Sequence, residues 1–219
     1  MPLPQKFHEE KVMTIKEKIY NRLSQWIMDG TLAPDEKINE SEIAAYFSVS
    51  RTPVREALQL LSEQRLVKIL PNKGSFVSSL KKEDAQELYE ALAAINGYIA
   101  ILACEKRTDD DIRVLKKLSD DFSAGVKRNL IKKLPELDKN FHLYIAFIAN
   151  NNYLKEYLTQ LTVHAYRYEY YYFNQSTDRS DSIKGHEDLI DAIIQRDKTT
   201  AHAIAEKNWT HTLQILSHT

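Results

Sequence analysis

Ser48-Val49-Ser50-Arg51-Thr52-Pro53-Val54-Arg55-Glu56-Ala57-Leu58, running on to Leu66-Val67, is the stretch from which the rest of the chain is read. A hydroxyl at Ser50 or Thr52 suits a helix start, because its oxygen accepts from an orphaned backbone N–H. Pro53 fits the first turn, where a missing N–H costs nothing, and Glu56 suits the positive end of a helix. Val54, Ala57, Leu58 and Leu61 then recur at helical spacing and define a buried stripe. Arg51 and Arg55 lie four residues apart and share a neighbouring face, with Thr52 beside them. A first turn with two arginines and two hydroxyls suits a DNA major groove. Guanidinium groups grip guanine edges through two parallel bonds, and hydroxyls bond phosphate or base.

Two solvated arginines on a surface helix would alone say little, so the flanks decide. Upstream, Asn39-Glu40-Ser41-Glu42-Ile43-Ala44-Ala45-Tyr46-Phe47 reads as a capped short helix, giving helix, tight turn, helix. Downstream, Leu66-Val67-Lys68-Ile69-Leu70, Pro71-Asn72-Lys73-Gly74 and Ser75-Phe76-Val77 read as strand, turn, strand. Together they predict a winged helix-turn-helix. Between Ser48 and Ser75, Arg51, Arg55, Arg65, Lys68 and Lys73 face only Glu56 and Glu63, the local positive excess that phosphate contact needs. Gly74, at the wing tip, supplies positive φ or a close backbone approach to the minor groove. Ahead of this head, Ile15, Ile19, Leu23 and Ile27 mark an amphipathic helix from Thr14 to near Gly30, followed by a turn-rich connection to Ile38. Residues 1–11 are polar, with Lys6 and Lys11 able to reach DNA as an arm.

Composition sets limits but does not name a partner. The 219 residues carry a net charge of −1, and 43% hydrophobic content is enough to bury real cores. Residues 1–80 hold 11 basic and 10 acidic side chains, so the expectation of DNA binding rests on the motif rather than on bulk charge. Cys104 is the single cysteine, which excludes an intrachain disulfide and fits a reducing compartment. No signal core is visible and no apolar run is expected to span a bilayer, which points to a cytoplasmic protein without a membrane partner.

From Lys82 the period is helical throughout, with helices expected near 82–105, 109–127, 131–150, 152–173, 180–196 and 198–217. The fold class is therefore mainly α: a winged helix-turn-helix over residues 1–80, then an all-α six-helix bundle over 81–219. Asp138 and His142 stand four apart on one helical face, and His186 precedes Leu189, Ile190 and Ile193 on an apolar stripe. Two histidines and a carboxylate projecting into a bundle form a candidate divalent-metal site, although a buried histidine satisfied by internal bonds is the blander reading.

The run from Ser48 to Leu58, the Leu66-Val67 pair and the glycine-tipped wing resemble the GntR family of bacterial transcription regulators. The pattern Gly30-Thr31-Leu32-x-Pro34-x-x-x-Ile38 is similar to the amino-terminal domain of that family. The six helices that follow resemble the FCD effector domain of the FadR subfamily, in its VanR-like branch. The resemblance implies that Arg51 and Arg55 read bases, that Ser50 and Thr52 contact phosphate or base edges, and that Lys73 and Gly74 enter the minor groove. It also implies a homodimer on a pseudo-palindromic double-stranded operator. Some relatives contact DNA through an arginine where this chain has Ser41.

In the second domain the resemblance matches Asp138, His142 and His186 to three metal ligands, the metal being zinc or another divalent transition ion. The fourth place holds Asn208, a weaker, uncharged ligand, with His211 one turn further along as an alternative. An "R-x-x-L-E" pattern in many relatives is replaced by Ala91-Leu92-Ala93-Ala94-Ile95-Asn96, so the usual partner of an effector carboxylate is missing. Arg167, inside the aromatic run from His164 to Phe173, is the candidate replacement. The expected function is a repressor whose DNA affinity answers to a small organic acid. A regulator sensing the metal directly is an alternative. A metal-dependent hydrolase built on Asp138, His142 and His186 lacks a general base and leaves the winged helix unexplained, so no enzyme is expected.

Overall fold

A computed structural model describes residues 13–172 and 179–217. The chain divides into two compact units, Met1–Ser79 and Leu80–Thr219.

In the first unit, α1 (Ile15–Met28) opens with a capping box in which the Glu17 amide donates to Thr14 Oγ1 at 3.2 Å and the Thr14 amide donates to Glu17 at 2.7 Å. Ile19, Leu23 and Ile27 are fully buried, as their spacing predicts. A two-residue strand, β1 (Lys37–Ile38), leads to α2 (Glu40–Phe47), whose cap Asn39 accepts from the Ser41 amide at 3.0 Å. Ser48, at φ 54°, ends α2 in the left-handed region and turns the chain into α3 (Arg51–Glu63). Val54, Ala57, Leu58 and Leu61 of α3 are buried, and α3 packs against α1. Then come β2 (Val67–Leu70) and β3 (Gly74–Val77), antiparallel with Leu70 opposite Gly74 and Val67 opposite Val77.

Three local expectations change. The sheet has three strands in the order β1-β3-β2, because Lys37 and Ile38 pair with Phe76 and Ser75 where only a turn-rich connection is predicted. Ser50 is the exposed N-cap of α3 but makes no side-chain capping bond. The helix starts at Arg51, so Glu56 falls in its second turn and the first turn carries no acid.

The second unit holds α4 (Lys82–Lys106), α5 (Asp109–Lys127), α6 (Leu134–Ile148), α7 (Asn152–Tyr172), α8 (Ser180–Gln195) and α9 (Lys198–Ser217). The predicted start at 131 is a separate 3-10 turn, Ile131–Lys133, and α6 begins at Leu134 with Pro135 in its first turn. Helix α4 is the core of the bundle, with Tyr89, Leu92, Ile99, Ala100, Ala103 and Cys104 fully buried and its longest packing against α9. Contrary to expectation, α4 is long and apolar enough to cross a membrane by length and composition, but half of that window is buried in the bundle. Asn96, the one polar residue of the substituted segment 91–96, is also buried, and its Nδ2 donates to the Leu92 carbonyl at 2.8 Å.

Candidate functional site

The N-cap and first two turns of α3 expose Ser50, Arg51, Thr52 and Arg55 together. A helix start with no acidic residue presents orphan N–H groups and a positive dipole end, which favour a phosphate. Arg55 Nε donates to Glu40 Oε2 on α2 at 2.8 Å, yet the Arg55 side chain stays 65% exposed. Such a pair contributes about 0–1 kcal/mol and does not tie the guanidinium into the core. On the wing of the same unit, Lys73 is exposed beside Gly74, which holds φ at +102° with Lys37 Cε only 3.4 Å from where a Cβ would stand. Lys6 and Lys11 lie outside the described residues.

In the second unit, α6 and α8 bring Asp138, His142 and His186 together at the wall of a cavity of about 310 Å³. His186 Nε2 lies 3.1 Å from Asp138 Oδ1, and His142 Nε2 lies 3.6 Å from Asp138 Oδ2. The His186 ring stacks on Phe141 at 3.9 Å between centroids and meets His142 edge-on at 5.4 Å, which fixes both imidazoles. Asn208 of α9 also lines the cavity, pressed against Gly185 of α8, where a Cβ would stand 2.5 Å from Asn208 Oδ1. The absence of a side chain at Gly185 therefore lets the asparagine reach this wall. His211 sits at the rim, with Nε2 3.4 Å from Asp181 Oδ2, outside the triad.

Burial drives the ionisation of this site. It pushes the His142 imidazole down to about 4 against the pull of Asp138, so the ring is neutral at pH 7. Burial would raise the Asp138 carboxyl, but His142, His186 and Arg179 hold it below its ordinary value. Glu169, also lining the cavity, is pushed up to about 8 by burial and by the charge of Asp138, against Arg179.

A deprotonated carboxylate and a neutral imidazole are what a metal requires of its ligands. With metal–donor bonds of about 2.1 Å, neighbouring donors lie roughly 3.0–3.4 Å apart, close to the two distances here. His186 Nδ1, Asn208 Nδ2, Trp209 Nε1 and Tyr89 Oη are buried without hydrogen-bond partners. So many unanswered polar atoms near one cavity mark a place built for a further occupant. Asp138, His142 and His186 fit a divalent ion, while the Asn208 and Trp209 N–H donors suit an acceptor such as a carboxylate.

Arg167 is among the most deeply buried side chains and does not line this cavity. The cations that do are Arg179, Lys184 and Lys207, and the inner acid beside Asp138 is Glu169. Sequence reasoning missed Glu169 and Arg179. Glu169 stands two residues from Arg167 in the same aromatic run, and as the one acid in that run it was the available signal.

Residues 15–77 match the bacterial regulatory proteins of the gntR family, and residues 87–210 match the FCD domain. The chain is 25% identical over 206 residues to the HTH-type transcriptional regulator YdhC of Bacillus subtilis (strain 168), covering 92% of this chain and 90% of that protein. It is 27% identical to the HTH-type transcriptional repressor RspR of Escherichia coli (strain K12), over 84% of this chain and 80% of RspR. With the Nta operon transcriptional regulator of Aminobacter aminovorans it shares 37% identity over 54% of this chain and 56% of that protein. The fold is that of E. coli McbR/YncC, with a TM-score of 0.82 at 21% identity over 94% of this chain and 99% of that one. The chain thus belongs to the GntR family with an FCD domain, and is a DNA-binding transcriptional regulator rather than an enzyme.

Proposed function

We propose that this regulator binds a pseudo-palindromic operator as a homodimer and changes its grip when a small organic acid occupies the FCD cavity. Arg51 and Arg55 read bases in the major groove, Ser50 and Thr52 bond phosphate or base edges, and Lys73 with Gly74 follows the minor groove. The observation that carries this reading is the acid-free first turn of α3, with Arg51 and Thr52 exposed on it and Ser50 and Arg55 exposed on either side. The name of RspR supports a repressor among the relatives, and repression in the cytoplasm is the proposed role.

Within the cavity, Asp138, His142 and His186 hold a divalent metal, zinc or another transition ion, with Asn208 offering a weaker amide oxygen at the fourth place. When bound, the ion supplies a Lewis-acidic anchor for an effector carboxylate. The second anchor is Arg179, because it lines the cavity and Arg167 does not.

Arg51→Ala tests the DNA half: specific operator affinity falls to the non-specific level, while the melting temperature stays within a degree or two of the parent. Retained specific binding refutes the assignment. For the metal, protein purified without chelators carries about one equivalent of a transition ion by elemental analysis. His186→Ala loses that ion, and a parent chain free of stoichiometric metal refutes the site.

A further inference from the structure

The ion pair between Arg55 and Glu40 uses one particular nitrogen. Arg55 Nε donates to Glu40 Oε2 at 2.8 Å, and the two residues lie 15 apart, on α3 and at the first position of α2. Glu40 is the better covered partner, at 26% exposure against 65% for Arg55. A guanidinium carries five N–H donors in a rigid plane, and end-on reading of guanine O6 and N7 uses the two terminal nitrogens. With Nε held from the side, the plane is fixed and the Nη1–Nη2 edge is left for the groove.

The energetics are odd for a merely structural pair. An exposed ion pair adds little to stability. A carboxylate beside a DNA-reading helix repels phosphates, so it lowers affinity for every sequence alike. What Glu40 gains is order: a long, mobile side chain is fixed before DNA arrives, and that cost no longer falls on binding.

We propose that Glu40 is a positioning residue for base recognition: its carboxylate orients Arg55, lowering general affinity for DNA while sharpening the choice of base. The inference rests on the reading that Arg55 contacts a base. It goes beyond that reading by naming a residue that touches no DNA as a determinant of specificity.

The test is binding of the full-length chain to a library of double-stranded DNA with randomised positions, with bound molecules sequenced. Parent, Arg55→Ala, Glu40→Ala and Glu40→Gln are compared, and thermal melting checks each fold. Arg55→Ala erases the preference at one base pair of each half-site. Glu40→Ala weakens the preference at that same base pair about three- to tenfold and raises affinity for non-specific duplex. Glu40→Gln, which keeps an acceptor oxygen but not the charge, raises non-specific affinity yet retains most of the base preference. If Glu40→Ala keeps the preference that Arg55→Ala loses, Glu40 is only a repelling charge and the inference is overturned. If Glu40→Gln loses as much preference as Glu40→Ala, the charge rather than the bond matters, and the positioning role is again overturned. If Arg55→Ala leaves every preference intact, the base-reading assignment of Arg55 fails first and takes this inference with it.

Discussion

Gly185 and Asn208 show how one missing side chain shapes the FCD cavity. A Cβ at position 185 would meet Asn208 Oδ1 at 2.5 Å, so Gly185→Ala must either swing the amide out of the cavity or part α8 from α9. The clash falls on the far end of one side chain, and alanine is favoured over glycine inside a helix, so the variant should melt within a few degrees of the parent while any metal affinity that depends on Asn208 falls. Charge at single residues sets a second expectation, for chelator-treated protein. His142 is near 4 when folded against an ordinary 6.5, so the folded chain binds fewer protons in that window and loses stability as pH falls through it. Asp138, held low, adds to the loss at acid pH. Glu169 acts in the opposite direction. Its folded value of about 8 exceeds the ordinary 4.5, so the folded state holds the extra proton and stability falls as pH rises from 4.5 to 8. Of these three groups only Glu169 contributes a slope between 6.5 and 8, so the melting temperature should decline there, and Glu169→Gln should flatten that limb.

At the scale of elements, the legible parts were those with local periodicity. Asp138 and His142 are one helical turn apart, and His186 leads a stripe of Leu189, Ile190 and Ile193, so chain spacing alone brought three candidate ligands inward. The buried face of α3 was legible for the same reason. Strand β1 was not, because two residues offer no alternation and its pairing with Phe76 and Ser75 is reached across most of the unit. That Arg167 points away from the cavity and Glu169 into it was harder to read. Both interrupt an aromatic stretch of α7, and which one meets the cavity depends on how that helix is rotated by its neighbours. The unused capping hydroxyl of Ser50 belongs here too: sequence marks the start of α3, and the geometry leaves that oxygen out of the cap.

At the scale of the whole chain, the DNA reader and the cavity occupy separate compact units, and the second is closed by its first and last helices. Helix α4 is apolar enough for a bilayer by length and composition, and its longest packing partner is α9, residues 198–217. Ribosomes add about 5–20 residues per second, so the newborn α4 waits roughly 5–20 s for the helix that covers it. During that interval the nascent polypeptide displays a stretch that chaperones, and the machinery that inserts membrane proteins, are built to recognise. A stop codon placed after Asp197 would make the wait permanent. Cell fractionation should then find the truncated product in the pellet or with the membranes, while the full-length regulator stays in the supernatant. Helix α9 is thus what conceals much of the one long apolar helix described, and premature termination before it should cost the cell the protein, not merely its response to a ligand.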